Sequence, residues 1–147
     1  MFTGIVEVVS SVKSLGKRQN LYTLTGVKPK TFTDVNIGDS IANDGVCLTV
    51  TGQKNGCFEF DLMKETLDAT TLKDLSAGKA VNLERAMKGE ARIGGHFVTG
   101  HVDAVGTIKA IRTLPNYVEY RISTPKDLMR YVVPKGSVAI DGISLTV

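Results

Sequence analysis

The sequence SIANDGVCLTV at residues 40–50 recurs as SVAIDGISLTV at residues 137–147. Seven of the eleven aligned pairs are identical, and three more are conservative. A second match, TGIVE at residues 3–7 against TGHVD at residues 99–103, lies at an offset of 96 rather than 97. One single-residue shift therefore aligns the two halves in order. Because this period is too long for a solenoid, each copy is predicted to be a domain.

The repeat predicts a first domain at residues 1–92 and a second at residues 93–147. Residues 87–95 (MKGEARIGG) break the hydrophobic periodicity and are predicted to be the linker between them. Since Val147 aligns with Val50, nothing in the second copy matches the 38 residues that follow Val50 in the first. We therefore expect the second domain to be incomplete and the chain to be a fragment, with an unpaired apolar edge at its last strand.

Composition excludes several classes of protein. The net charge is +3 and no block of like charge occurs, so nucleic acid is not indicated as a partner. The chain has no apolar run long enough to span a bilayer, and its start lacks the basic and apolar regions of a signal peptide. Two cysteines do not make a disulfide framework. The expectation is a soluble, cytoplasmic protein with no membrane partner.

Hydrophobic residues alternate mostly with period two, which predicts strands. Asn55-Gly56 lies between two apolar runs and predicts a hairpin turn. Short strands with frequent turn signals indicate an all-β chain that folds as a small antiparallel barrel or sandwich. The predicted strands of the first copy are residues 5–12, 21–27, 40–42, 46–51, 57–62 and 79–85.

Helical signals are few. Thr124 is an N-cap candidate before Pro125, and Pro29 lies at the equivalent place in the first copy. Residues 65–72 could form one or two helical turns.

The segment GGHFVTGH at residues 94–101 is rich in glycine and histidine. Its spacing is not that of a dinucleotide fingerprint or a phosphate loop. His96 and His101 would point to opposite faces of one extended strand, and no cluster of acidic or cysteine ligands accompanies them. We therefore predict no metal site.

Cys47 is the counterpart of Ser144. An unpaired cysteine is often a buried hydrophobe or an inert thiol, but a counterpart that is also small and polar favours contact with a ligand. Thr49 and Thr146 also pair and alternate with leucines, so one face of this strand is polar. The repeated Asp-Gly at residues 44–45 and 141–142 is more typical of a turn than of catalysis.

Two further features have alternative interpretations. Lys64 and Glu65 form either a solvated surface pair or part of a loop at the barrel mouth that contacts a polar ligand. His101 aligns with Ile5, so the two copies are not functionally equal. His101 is either an acid–base or hydrogen-bonding group, or a structural histidine.

Six motifs follow one another along the chain: MFTGIVE (1–7), DGVCLTV (44–50), LMKETL (62–67), VNLERA (81–86), GGH with TGHV (94–96 and 99–102) and IDGISLTV (140–147). Together and in this order they resemble the riboflavin synthase family across the whole chain. Related lumazine proteins, which bind the chromophore without catalysis, begin similarly. The Cys-Leu-Thr-Val, Lys-Glu-Thr and Gly-His motifs resemble those of the enzyme branch.

The resemblance implies two similar six-stranded antiparallel Greek-key barrels in tandem, the second incomplete, and a C-terminal helix that holds a homotrimer of the full-length protein. It implies a transferase that converts two molecules of 6,7-dimethyl-8-ribityllumazine to riboflavin and 5-amino-6-ribitylamino-pyrimidinedione by exchange of a four-carbon unit. No cofactor is implied. The site would form between the N-terminal barrel of one subunit and the C-terminal barrel of another, so this chain alone is expected to be inactive. The alternatives are a non-catalytic lumazine or flavin carrier and, with less support, the flavin-binding barrel of a reductase.

The resemblance also implies the site residues. The groups assigned to chemistry are His101, Cys47, Ser144, Thr49 and Phe2, with Ser40 and His96 nearby. The second half-site would use Gly100, His101, Val102, Ser144, Leu145 and Thr146, and Lys135 would reach a neighbouring subunit. The first half-site would use Gly4, Ile5, Val6, Cys47, Leu48, Thr49, Asp61, Leu62, Met63, Lys64, Glu65 and Thr66.

Overall fold

The computed structural model describes residues 1–18 and 21–147. The described residues form ten strands, one short α-helix and two 3₁₀ helices. The α-helix, α1, is Lys64–Ala69, and the 3₁₀ helices are Thr71–Asp74 and Lys126–Tyr131. The strands are β1 Val8–Arg18, β2 Leu21–Val27, β3 Ser40–Asn43, β4 Val46–Lys54, β5 Cys57–Leu62, β6 Ala80–Arg85, β7 Thr107–Thr113, β8 Val118–Ser123, β9 Ser137–Ile140 and β10 Ile143–Thr146.

Strands β1 to β6 close into an antiparallel barrel in the order β1-β2-β5-β4-β3-β6. All six predicted strands of the first copy are confirmed, and the all-β fold with them. The first strand begins at Val8 rather than Ile5, because Gly4 has a φ of +74° and residues 2–4 hydrogen-bond outside the barrel ladder. Asn55 and Gly56 both have positive φ, as a tight hairpin turn of this type requires.

The barrel interior holds one apolar core. Phe58 and Phe60 pack with their ring centroids 6.2 Å apart. Ile41 and Val50 are fully buried. Their burial follows from the period-two alternation of the strands, which sends every second side chain inward.

Strands β7 to β10 repeat β1 to β4 at the level of individual hydrogen bonds. The bulge of the β1–β2 pair lies between Val12 and Ser14, and that of the β7–β8 pair between Ile108 and Ala110, an offset of 96. Bulges interrupt a ladder at a defined residue, so matching bulges indicate the same local structure in both copies.

The turns before β3 and β9 repeat in the same way at an offset of 97. Gly38 N donates to Val50 O at 2.8 Å, and Lys135 N donates to Val147 O at 3.0 Å. Lys135 takes the positive φ of Gly38, at 64° against 97°. The single-residue shift therefore falls between residues 32 and 36, because the turn from Pro29 to Phe32 still repeats at an offset of 96.

The predicted cap of the second 3₁₀ helix is wrong. Pro125 rather than Thr124 is the N-cap, with φ −52° and ψ 139°, and no side chain caps the helix. Proline fixes φ and here keeps an extended ψ, so the helix begins one residue later than expected. Helical turns predicted over residues 65–72 are confirmed by α1 and the 3₁₀ helix after it. No helix in the described ranges is both long and apolar enough to cross a bilayer.

Candidate functional site

The outer face of β4 carries the polar residues of the first copy. Leu48 and Val50 point into the barrel core, whereas Thr49 is exposed and Cys47 is half-buried. Thr49 lies opposite Ser40 on β3, and Cys47 lies opposite Ala42. The alternation predicted for this strand is present, and it leaves the Leu48 side chain in the core rather than on the site surface.

The run from Asp61 to Thr66 joins β5 to α1 and continues this outer face. Asp61 and Met63 are exposed, and Leu62 between them is buried in the core. Asp61 Oδ1 accepts a hydrogen bond of 2.9 Å from Thr23 Oγ1. The outer surface of the barrel therefore offers a carboxylate and a thioether at the end of β5.

Lys64 and Glu65 lie at the start of α1. Lys64 forms an exposed ion pair with Asp68, one helical turn on, and this partner raises the pKa of the Lys64 ammonium. Glu65 is exposed and Thr66 is half-buried. Lys64 is therefore solvated at the surface as one interpretation expected, but its partner is Asp68 rather than Glu65, which is exposed.

The two copies meet along an approximate twofold axis. Phe2 and Val98, which are equivalent at the offset of 96, form an antiparallel bridge in which each N–H donates to the other's carbonyl, at 2.8 and 3.0 Å. A residue paired with its own equivalent is the mark of an isologous contact. The repeat is therefore arranged symmetrically as well as in tandem.

Two reciprocal hydrogen bonds flank this bridge. Cys47 N donates to Gly100 O at 2.9 Å, and Ser144 N donates to Gly4 O at 2.7 Å. Gly4 and Gly100 are equivalent, and both have positive φ, at 74° and 85°. A Cβ at Gly4 would lie 2.8 Å from Cβ of Ser144, so the close approach requires glycine.

These contacts pair each N-terminal glycine with the other copy. Gly4 lies beside Ser144 of the second copy, and Gly100 lies beside Cys47 of the first. The two copies thus exchange their N-terminal segments. The sequence alone could not show this exchange, because a repeat aligns residues without saying which copy they contact.

One histidine lies next to each of these two contacts between the copies. His96 Nδ1 lies 2.7 Å from Ser144 Oγ, and His96 N donates to Thr3 O at 3.0 Å. His101 is exposed and follows Gly100, whose carbonyl binds Cys47; its N–H donates to Thr99 Oγ1 at 3.3 Å. Both histidines predicted as candidates therefore lie at the seam between the copies.

Phe2 is buried behind Cys47. Its ring is fully buried in a small cluster with Ala42 and Val98, and Cys47 packs against this cluster. The structure gives Phe2 a packing position behind the thiol rather than one on the surface.

The remaining predicted residues lie on or near the surface of the second copy. Lys135 lies in the turn before β9 and is exposed. Val102, Leu145 and Thr146 are also exposed, at the seam and along β10. Lys135 lies near the end of the β9–β10 hairpin that is far from its turn, where Ser137 pairs with Thr146.

The two Asp-Gly turns face each other across the axis. Asp44 and Asp141 both have positive φ, which confirms the turn interpretation. A Cβ added to Gly45 would lie 2.7 Å from Gly142 N. Burial raises the pKa of the Asp44 carboxyl to about 6, with a further increase from the charge of Asp141 and an opposing effect of the hydrogen bond from Asn82 N.

One buried group was missed by the sequence reasoning. Glu84 alternates with the core residue Leu83 on β6 and so lies on the outer side of the barrel, but it is only 5% exposed because residues 3–4 cover it. Nothing in the local pattern indicated this cover, since it comes from the other end of the copy.

Comparisons with known proteins agree with the geometry. The lumazine binding domain family matches residues 3–86 and 99–147. Riboflavin synthase of Actinobacillus pleuropneumoniae is 48% identical over 147 residues, which are 100% of this chain and 68% of that protein. Riboflavin synthase of Bacillus subtilis (strain 168) is 46% identical with the same coverage.

A solved structure shows the same architecture with a ligand bound. The crystal structure of LumP complexed with riboflavin superposes with a TM-score of 0.89 at 26% identity, over 99% of this chain and 79% of that one. LumP complexed with 6,7-dimethyl-8-(1′-D-ribityl) lumazine gives a TM-score of 0.84. With full coverage by curated relatives and a family match over both copies, this chain belongs to the riboflavin synthase family.

Proposed function

We propose that this chain carries the two substrate half-sites of a riboflavin synthase. The reaction is the dismutation of two molecules of 6,7-dimethyl-8-ribityllumazine to riboflavin and 5-amino-6-ribitylamino-pyrimidinedione. The observation that carries the proposal is the reciprocal seam, in which Cys47 lies beside Gly100 and Ser144 beside Gly4. Two like half-sites suit a reaction whose two substrates are identical.

The two half-sites differ where donor and acceptor must differ. The Cys47 half-site contains a thiol and His101, and the Ser144 half-site contains a hydroxyl 2.7 Å from His96. Orientation of two bound substrates supplies much of a rate enhancement, since effective molarities are large. In the proposal, His101 or His96 assists proton transfer at the substrate's 7-methyl group or orients a nucleophile, and Thr49, Cys47 and Ser144 hydrogen-bond the ring edge.

The proposal includes a domain organisation. Residues 1–92 form the first lumazine-binding barrel, and residues 93–147 form part of a second. Support comes from β7–β10, which repeat β1–β4 but remain two separate two-stranded sheets. In the first barrel, β5 and β6 join the equivalent strand pairs, so counterparts of β5 and β6 would close the second.

In the same proposal, the complete site forms between subunits of a homotrimer, with Lys135 reaching a neighbour. The chain spans 68% of the length of the relatives from Actinobacillus and Bacillus. We therefore assign activity and trimer formation to a full-length form, in which the remaining region of those relatives is present. The half-buried thiols of Cys47 and Cys57 suit the reducing cytoplasm.

The test is conversion of 6,7-dimethyl-8-ribityllumazine by a full-length form, followed by the absorption and fluorescence of riboflavin. We expect riboflavin and the pyrimidinedione in equal amounts, and a trimeric mass by light scattering. Tight binding of the lumazine with no riboflavin formed would instead identify a non-catalytic carrier. LumP has been solved in complex with the same lumazine. A titration of the 147-residue chain with 6,7-dimethyl-8-ribityllumazine tests whether a half-site binds outside the trimer. If the chain binds the lumazine but forms no riboflavin, the missing activity is due to the missing assembly rather than to a missing half-site.

A further inference from the structure

Glu84 is a buried carboxylate whose bonds all lead to one segment. Its Oε1 accepts from Thr3 N at 2.6 Å and from Thr3 Oγ1 at 2.7 Å, and its Oε2 accepts from Gly4 N at 3.1 Å. Arg85, the next residue on β6, bonds instead to Glu7 and Asp34. The Glu84 carboxylate thus accepts three hydrogen bonds, and such bonds to a carboxylate are stronger than those to a neutral acceptor.

The carbonyls of the same two residues hold the Ser144 half-site. Thr3 O accepts from His96 N at 3.0 Å, and Gly4 O accepts from Ser144 N at 2.7 Å. A Cβ at Gly95 would lie 2.2 Å from Thr3 O and 2.8 Å from Cβ of Ser144, so Gly95 packs closely against both. Residues 3–4 therefore donate hydrogen bonds to the Glu84 carboxylate and accept hydrogen bonds from the backbone N–H groups of His96 and Ser144.

The equivalent segment of the second copy has the same local turn. Thr99 is the equivalent of Thr3, and both hydroxyls accept a 3.3 Å bond from the N–H two residues on, in His101 and Ile5. Glu84 adds three hydrogen bonds to the Thr3 segment.

We propose that Glu84 is a positioning residue for the Ser144 half-site. Its carboxylate fixes residues 3–4, and these set the place of His96 and Ser144, whose side chains meet at 2.7 Å. Glu84 touches no substrate in this proposal. Its kinetic consequence rests on the proposed function, but its structural consequence is measurable without turnover.

The structural test uses ¹H–¹⁵N spectra of the 147-residue chain carrying Glu84→Gln. The amide keeps one acceptor but turns an NH₂ group toward backbone N–H groups of residues 3–4 that donate to the carboxylate in the wild type. We expect the Ser144 amide and the His96 ring signals to shift, while the Cys47 amide stays in place. Glu119→Gln, an exposed change on β8, is the matched control and should move none of them.

The kinetic test uses the same variants in a full-length form. We expect Glu84→Gln to lower kcat about tenfold with little change in KM, the size of effect that loss of one charged hydrogen bond produces. Glu84→Asp, which keeps the charge on a shorter side chain, should restore part of the rate. A folded Glu84→Gln variant with unshifted Ser144 and His96 signals and wild-type turnover overturns the proposal.

Two further outcomes are distinguishable. If Glu84→Gln does not fold, Thr3→Val removes one of the three bonds and should shift the same signals less. An unshifted spectrum of Thr3→Val would then overturn the proposal. If the full-length wild type makes no riboflavin, the proposed function fails, but the coupling of Glu84 to Ser144 is still decided by the spectra.

Discussion

The closed barrel and the strands of the second copy share local structure but differ in burial. Leu48 and Val50 on β4 are 6% and 0% exposed, whereas their equivalents Leu145 and Val147 are 39% and 47% exposed. Turns, bulges and hairpin register are nevertheless the same in both. Local sequence therefore determines the hairpins, and burial depends on the strands that close the sheet.

The contacts between the two copies are also of two kinds. Backbone hydrogen bonds between the copies are reciprocal, but the side chains at the equivalent positions are not. In the alignment of the two copies, Ile5 is equivalent to His101, and Cys47 is equivalent to Ser144. The reciprocal backbone hydrogen bonds hold the two copies together, and the differing side chains place different functional groups on the two sides of the seam.

The largest expected effect is a loss of stability when a core residue of the closed barrel is truncated. Leu48→Ala should lower the free energy of unfolding by about 3 kcal/mol, because it leaves a cavity in a packed core. The equivalent Leu145→Ala should cost under about 1 kcal/mol, because that side chain is already partly solvated. Urea unfolding of the 147-residue chain, followed by circular dichroism, measures both. Equal losses would contradict the comparison.

A second prediction breaks the seam. Gly45→Ala should cost about 2 kcal/mol, because the new methyl group meets the Gly142 backbone and the residue keeps a φ of +81°. Gly78→Ala has the same left-handed backbone, at +86°, with nothing within 4 Å of the new Cβ, and it isolates the conformational cost of about 1 kcal/mol. Hydrogen exchange at the Cys47 and Ser144 amides should accelerate in the first variant only.

A third prediction concerns the chemical asymmetry. In a full-length form, His101→Gln should lower kcat about tenfold and flatten the pH profile between about pH 5 and 8, because glutamine hydrogen-bonds but does not titrate. Ile5→Val, a small change at the equivalent position, should stay within about twofold. Wild-type turnover across that pH range would remove His101 from proton transfer.

The smallest effect is a pH dependence at the axis. The Asp44 carboxyl has a pKa of about 6 in the folded chain against an ordinary 3.8, so the folded state binds the extra proton. The free energy of unfolding should therefore fall as pH rises from about 4 to about 6, and remain lower above that. Asp44→Asn keeps an acceptor for Asn82 N and should stabilise the chain at pH 7 by about 1 kcal/mol, after allowance for solvent screening.

Thermal unfolding at pH 7 and at pH 4 measures this gain, which should vanish at the lower pH. Asp141→Asn, at the exposed equivalent position, should give a smaller gain by removing the neighbouring charge. A gain for Asp44→Asn that is the same at both pH values would show that burial of the charge is not its cause.

Much of the fold was predictable because its signals are local. Alternation gave the six strands of the barrel, and Asn55-Gly56 gave a hairpin. The start of β1 and the burial of Glu84 were not predictable, since both depend on where residues 2–4 go after the chain folds. At the site, the repeat identified Cys47, Ser144 and His101, and the family resemblance added His96. Which residues meet depends on the contacts of Cys47 with Gly100 and of Gly4 with Ser144, which join residues far apart in the sequence.

The bridge between Phe2 and Val98 has a consequence for assembly. A residue paired with its own equivalent forms the same contact that two separate copies of a single-domain chain would make in a symmetric dimer. Covalent connection through residues 87–95 turns that association into an intramolecular one, with an effective concentration in the millimolar range for a short linker. The seam between the copies should therefore persist on dilution, and few contacts are enough to maintain it.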